Sequence, residues 1–259
     1  MTLDQIIYGD NVTVLSTLPD ECIDLVVTSP PYDDLRTYGG HSWDFAGVAR
    51  ELTRVLKPGG VIVWVVADAT MDGSETLTSM RQAIHFKDVC GLNVLDTMIY
   101  QKAGTGACGS NLCYWQSWEY MLVLTKGKPS VVNRLRDKKN LWAGNVTGAG
   151  RRAKDGTLKD TKTRIKPDVG IRENIWRYTF DMSAHGHPAV FPGALASDHI
   201  QSWSNPGDVV LDPFAGSGTT LKAAKELNRH WLGIEINPAY VEICHKRLAQ
   251  DVLNLEDMQ

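Results

Sequence analysis

The chain has no stretch approaching the roughly 20 consecutive apolar residues that a membrane-crossing helix needs. A run such as Val61 to Ala67 has the length of a buried strand instead. Cysteine is scarce: five residues, Cys22, Cys90, Cys108, Cys113 and Cys244, odd in number and without a C-x-x-C pair. Neither a disulfide framework nor a zinc site is indicated, so free and mostly buried thiols and no metal are expected. The first residues carry Asp4 and no basic cluster, which does not read as a secretory leader, and no partner membrane is expected. No Gly-Lys-Ser/Thr follows a glycine loop, which argues against an ATPase, and no internal repeat is present.

Net charge is also small, -3 over 259 residues, but its distribution is uneven. From Lys126 to Arg177 there are 15 Lys or Arg against 5 Asp or Glu, leaving 12 against 25 for the remainder. One segment is therefore equipped to meet a polyanion, although a basic loop can also be a solvated surface.

Strand-like runs occur at Gln5–Tyr8, Ile23–Val27, Val61–Ala67, Val94–Tyr100, Glu119–Leu124, Val209–Leu211 and Trp231–Ile236. Several are continuously apolar, as strands buried on both faces are. Helix-like stretches lie between many of them, at Phe45–Leu56, Leu77–Val89, Gly193–Trp203, Thr219–Leu227 and Pro238–Leu248. This alternation predicts an α/β fold with a mainly parallel sheet and helices on both faces. The segment from Lys126 to about Asp181 is rich in Gly, Thr, Lys and Arg, lacks clear periodicity and is too long for an ordinary connection, so it reads as an insertion.

Two motifs carry chemistry. "DVVLDPFAGSGTTLKAAKEL", Asp208 to Leu227, is strand, glycine turn and helix. Gly216 and Gly218 let the backbone approach a ligand closely, and helix N–H groups point into the same space. Glu235 lies 19 residues after Gly216, where ribose hydroxyls of an adenosine cofactor would sit. Leu221 stands where a dinucleotide fingerprint has its third glycine, which disfavours NAD and leaves S-adenosylmethionine. The second motif is "VVTSPPYDD", Val26 to Asp34. Its prolines end a strand, hold the backbone extended and leave carbonyls without a ladder partner.

With Asp212-Pro213-Phe214-Ala215-Gly216-Ser217-Gly218-Thr219 late in the chain and Thr28-Ser29-Pro30-Pro31-Tyr32 early, the sequence resembles the DNA amino-methyltransferases of the permuted class, in which the catalytic motif precedes the cofactor motif. The resemblance implies a Rossmann-like, seven-stranded, circularly permuted S-adenosylmethionine-dependent methyltransferase fold. Its halves would be 1–125 (catalytic) and 182–259 (cofactor-binding), with a target-recognition insert at 126–181.

The resemblance also implies roles for residues. Asp10 would meet the adenine end of the cofactor and Glu235, with Ile236, the ribose. Phe214 to Gly218 would meet the methionine end, flanked by Asp212, Pro213, Thr219 and Thr28, while Phe191 and Pro192 close the pocket. Asp10 equally suits a helix N-cap, and Pro192 a rigid helix entry. Ser29 and the Pro30 carbonyl would accept the amino hydrogens of the target base, Pro31 would stiffen the loop, and Tyr32 would stack on the base. Arg36 and Tyr38 would touch phosphate beside a flipped nucleotide, and Arg151, Arg152 and Lys154 would bind DNA. Tyr114, Trp115 and Trp118 could line the base pocket, but their spacing before a strand favours core.

The expected partner is double-stranded DNA, a separate restriction endonuclease is compatible, and the setting is the cytoplasm of a bacterium or archaeon, or a phage gene. In the family that the sequence resembles, members with serine before Pro-Pro-Tyr lean to cytosine N4 and those with Asp or Asn to adenine N6, so the resemblance implies cytosine. An RNA methyltransferase or a non-catalytic DNA-binding protein is a more distant reading.

Overall fold

The fold is taken from a computed structural model that describes residues 1–31, 43–103, 114–147, 151–159, 164–179 and 192–249. Two units emerge: Met1–Asn133 with Asn174–Gln259, and Arg134–Glu173.

The larger unit is built on strands β1 (Gln5–Tyr8), β2 (Ile23–Thr28), β3 (Leu56–Val66), β4 (Asn93–Ala103), β5 (Trp118–Thr125), β6 (Ile175–Thr179), β7 (Val209–Asp212) and β8 (His230–Glu235). Valine, isoleucine and leucine fill β2, β3 and β7, whose inner residues are buried on both faces. Among the described residues six helices accompany them: α1 (Asn11–Ser16), α2 (Phe45–Val55), α3 (Thr78–Asp88), α4 (Gly193–Trp203), α5 (Thr219–Glu226) and α6 (Pro238–Ala249).

The sheet order is β1-β8-β7-β2-β3-β5-β4-β6. Every adjacent pair is parallel except the two that involve β5, which runs against both β3 and β4. The α/β, Rossmann-like expectation holds, with eight strands rather than seven. The eighth, β6, comes from a stretch assigned on composition to the insert: its residues pair with β4 in register from Ile175↔Ile99 to Thr179↔Ala103. Five residues of which only Trp176 is buried leave a weak periodic signal, so a sheet edge of this kind is hard to see in sequence.

Helix ends follow local chemistry. Asp10 caps α1 and Asp44 caps α2, each accepting a backbone N–H three residues on. The Lys57-Pro58-Gly59-Gly60 segment, whose residues suit a turn, lies inside β3 rather than before it. Leu56 already pairs with Ile23, and the ladder resumes at Leu25↔Val61, so these four residues bulge from the β2–β3 ladder, with Gly59 at φ +80°.

The smaller unit carries three two-residue antiparallel ladders nested about one turn. Lys138–Lys139 pairs with Val169–Gly170, Val146–Thr147 with Arg164–Ile165, and Arg151–Arg152 with Leu158–Lys159. It is a two-stranded ribbon, and exposed Lys154 sits in the turn at its tip.

Candidate active site

In the large unit β7, α5 and β8 run to one side of the sheet, while β2, α2 and β3 run to the other. The loops that leave β7 and β2 therefore diverge, and the crevice between two such strand ends is where open α/β sheets bind ligands. Both sequence motifs end here: Thr28 closes β2 and Asp212 closes β7. The Thr28 hydroxyl donates to Asp212 Oδ1 at 2.7 Å, joining residues 184 positions apart. Ser29-Pro30-Pro31 and the glycine turn thus start from one hydrogen-bonded point. Ser29 and Pro31 are half-buried there and Pro30 is buried.

Asp212 is fully enclosed, and burial pushes its carboxyl up to about 6 despite hydrogen bonds from Thr28 and from the Phe214 N–H at 3.1 Å. The Glu235 charge raises it further. Thr220 also touches it, and the Thr220 hydroxyl donates to the Val27 carbonyl at 3.1 Å. The Thr220 contact, like those from Thr28 and Phe214, favours the ionised carboxyl and offsets part of the effect of burial.

The turn Pro213–Gly218 is held from three sides. Ala215 N–H donates to Ile234 O at 2.9 Å, and Gly218 N–H to Ala215 O at 2.7 Å. Gly216 N–H donates to Glu235 Oε2, and Asn237 N–H to Glu235 Oε1, both at 2.8 Å. Glu235 thereby supports the turn as well as bordering the crevice, and burial raises its carboxyl above the usual range. Gly216 and Gly218 adopt φ +50° and +78°, which glycine takes without strain. A Cβ on Gly218 would lie 2.5 Å from Cys244 Sγ, so the turn is pressed against α6.

Several residues that sequence reasoning missed complete this scaffold. Arg247, on α6, donates to Ser217 O (3.3 Å), Ser217 Oγ (3.1 Å) and Thr219 Oγ1 (3.1 Å). The hydroxyls of Ser217 and Thr219 are thus committed to fixing the loop. Gly233 lets α5 approach β8, since a Cβ there would meet Leu221 Cδ1 at 2.4 Å. Phe214 stands edge-on to Trp43 (5.1 Å) and Trp64 (6.3 Å), extending an aromatic cluster that includes Phe45 and Phe86. Asp68, after β3, takes the Ser79 N–H at 2.8 Å and hydroxyl at 2.6 Å, anchoring the start of α3. An isolated glycine inside "HWLGIE" is a readable sign of close approach. Nothing in the sequence distinguishes Arg247 from other arginines.

Among the remaining expected residues, Asp10 Oδ1 accepts both the N–H and the hydroxyl of Thr13 at 2.9 Å, so its capping role is realised. Asp10 lies at the same sheet edge as Glu235, through the Gly9 N–H to Glu235 O bond of 3.0 Å. Pro192 is buried at the start of α4, where its carbonyl accepts the Leu195 N–H at 3.0 Å, and Ile236 is exposed. Pro213 and Ala215 are buried in the turn. Tyr32, Arg36, Tyr38 and Phe191 lie outside the described residues, as do the side chains of Arg151 and Arg152.

Two expectations are corrected. Tyr114 is 99% and Trp115 62% exposed, so neither belongs to the core. They precede β5, whose reversed direction brings its start to the ligand-binding edge. Only Trp118 is half-buried, packed edge-on to Tyr120 at 4.7 Å. Of the described cysteines only Cys244 is buried, while Cys22 and Cys90 are half-buried. No cluster of three or more His, Cys, Asp or Glu among the described residues is arranged to hold a metal. No described helix is long and apolar enough to cross a membrane.

A family profile described as DNA methylase matches residues 23–246, which span both motifs. The chain belongs to the DNA methylase family. Among its relatives is the orphan methyltransferase M.BamHII of Bacillus amyloliquefaciens, 47% identical over 244 residues that cover 90% of this chain and 91% of that protein. Among solved structures, the PvuII DNA methyltransferase (cytosine-N4-specific) superposes with a TM-score of 0.69 at 21% identity, covering 98% of this chain and 89% of that one. The putative DNA modification methylase TTHA0409 from Thermus thermophilus, complexed with S-adenosyl-L-methionine, superposes with a TM-score of 0.64 at 27% identity, covering 96% and 95%.

S-adenosylmethionine is the cofactor of this DNA methylase, and the crevice suits it. The glycine turn admits close backbone approach, and no lysine is built into it for phosphates.

Proposed function

We propose that this DNA methylase transfers a methyl group to the exocyclic N4 of a cytosine flipped out of double-stranded DNA. The observation that carries the reading is the Thr28–Asp212 hydrogen bond, which fastens the start of the Ser29-Pro30-Pro31 loop to the start of the cofactor turn. S-adenosylmethionine supplies an electrophilic methyl on a sulfonium. The amino nitrogen of a base is a poor nucleophile because its lone pair is delocalised into the ring. The Ser29 hydroxyl and the Pro30 carbonyl accept its two hydrogens, favour a pyramidal nitrogen and stabilise the positive charge that develops there. Proline rigidity keeps this carbonyl in place before the base arrives. Tyr32 stacks on the base, and Tyr114 and Trp115, exposed at the same edge, are candidates for its other side.

In this reading Glu235 and Asp10 hold the adenosine, Phe191 and Pro192 close over it, and Arg36 and Tyr38 contact the phosphate beside the flipped nucleotide. The basic segment, with Arg151, Arg152 and Lys154, supplies phosphate contacts and base readout. In this reading target recognition falls to the segment 126–181, less the β6 residues Ile175–Thr179 that belong to the main sheet, between catalytic residues 1–125 and cofactor-binding residues 182–259. The protein would work in the cytoplasm, where methylation could shield its site from a separate restriction endonuclease.

Cytosine is preferred because a neutral serine precedes Pro-Pro-Tyr. Adenine N6 offers a conjugated amino group of similar geometry and is the second reading. Mass spectrometry of nucleosides from duplex DNA treated with enzyme and cofactor decides between them. N4-methylcytosine is expected, and N6-methyladenine as the sole product would overturn the base but spare the mechanism. Ser29→Ala is expected to lower turnover while leaving cofactor affinity intact.

A further inference from the structure

The ribbon formed by Arg134–Glu173 displays an apolar projection that phosphate binding does not explain. Leu141 is 91% and Trp142 65% exposed, and both sit in a turn between the first and second ladders. Large apolar side chains placed together in solvent mark a binding surface more often than an accident of folding. The turn is also built to be stiff. Asn140 N–H donates to Asp168 O (2.9 Å), Gly144 N–H to Lys166 O (2.9 Å) and Lys166 N–H to Asn145 O (3.0 Å). The Asn140 side chain donates to Pro167 O at 2.7 Å. Both ends of the turn are therefore tied to the opposite strand, and the two side chains between them are held outward. Val146 and Ile165, directly paired in the next ladder, are exposed as well.

What covers this projection is indicated by its surroundings. Residues 134–173 contain 12 Lys or Arg against 5 Asp or Glu. Of the acids, Asp137 is taken by Arg172 and Glu173 by Lys138. Two-stranded ribbons dock in the grooves of DNA, and apolar wedges on basic proteins that enter the minor groove insert between base steps. We propose that Leu141 and Trp142 form a wedge that inserts between or stacks upon bases of the duplex, while the flanking cations hold the backbone. The proposal rests on the reading of the chain as an enzyme acting on double-stranded DNA.

The test separates stacking from charge by salt dependence. Duplex affinity of the full chain is measured across a salt series for the parent, for Leu141→Ala/Trp142→Ala and for Lys139→Gln. The wedge variant should bind about tenfold to a hundredfold more weakly at every salt concentration, the range spanned by loss of a base-stacking side chain. Its log–log salt slope should match the parent's, because every cation that meets phosphate is retained. Lys139→Gln should instead lower the slope by about 0.9. Val89→Ala, which trims an exposed apolar residue after α3, should change neither, and unchanged cofactor affinity shows that each variant is folded.

Unaltered duplex affinity in the wedge variant, with a parent that binds and methylates DNA, overturns this proposal alone. A parent that binds no duplex sinks the DNA reading and the wedge with it. A parent that is dimeric without DNA and becomes monomeric in the wedge variant assigns the surface to a second copy of the chain, and likewise overturns the proposal.

Discussion

Replacing Asp212 by asparagine should make the protein more stable at neutral pH. The carboxyl rises from 3.8 in an unfolded chain to about 6 in the fold, principally through burial. Roughly two pH units at about 1.36 kcal/mol each give about 3 kcal/mol of strain when the group is ionised at pH 7. The sign follows from proton binding. Between those two values the folded state holds the proton and the unfolded state does not, so the stabilising contribution is complete below pH 4 and is lost as pH rises through 6. The introduced asparagine retains an oxygen for the Thr28 hydroxyl and the Phe214 N–H and removes the charge from a fully buried site. Urea unfolding of both proteins at intervals from pH 4.5 to 7.5 is the assay, because other titrating groups cancel in the difference. The variant's advantage should grow with pH and level off above about 7. A difference that is flat with pH would refute the argument that Asp212 carries a desolvated charge at neutral pH.

Glu235→Ala should weaken S-adenosylmethionine by about 1.5 to 3 kcal/mol, the range for hydrogen bonds to a charged acceptor; unchanged affinity by calorimetry would remove the ribose from Glu235. Gly233→Ala puts a Cβ 2.4 Å from Leu221 Cδ1 and 3.2 Å from Ala215 Cβ, for an expected loss of about 1 to 3 kcal/mol in denaturant melts. Leu221→Ala in the same chain should recover part of that loss, and no recovery would place the strain elsewhere. Neutralising Arg151 and Arg152 together should flatten the salt dependence of DNA binding, by about 0.9 in slope for each phosphate no longer neutralised; an unchanged slope would make them bystanders.

The seven strand runs read from sequence all appear in the sheet because each is a dense apolar block, a property of the residues themselves. β6 was missed because Ile175–Thr179 buries only Trp176 and draws its stability from pairing with β4. The motif residues were legible for a similar reason: glycines, prolines and their neighbours impose local backbone chemistry. Arg247 and Thr220 act on residues distant in sequence, so their importance depends on which helix lies over which strand. Tyr114 and Trp115 misled because their spacing before a strand suggests burial, whereas their exposure is decided by where β5 enters the sheet.

The order of strands has a consequence for how the enzyme comes into being. In space β8 and β7 fill the gap between β1 and β2, yet a ribosome delivers them last, about 200 residues after β1 has emerged. Until then β1 has no sheet neighbour and β2 has an open edge, the kind of unpaired surface that invites misassociation in a growing chain. The crevice between β2 and β7 cannot exist before β7 and β8 slot in, so on the proposed reading a truncated translation product has no way to hold its methyl donor and is silent rather than unselective. By the same topology, a fragment that ends before Asn174 and one that begins there each lack neighbours that the other carries, and any activity must come from their reunion.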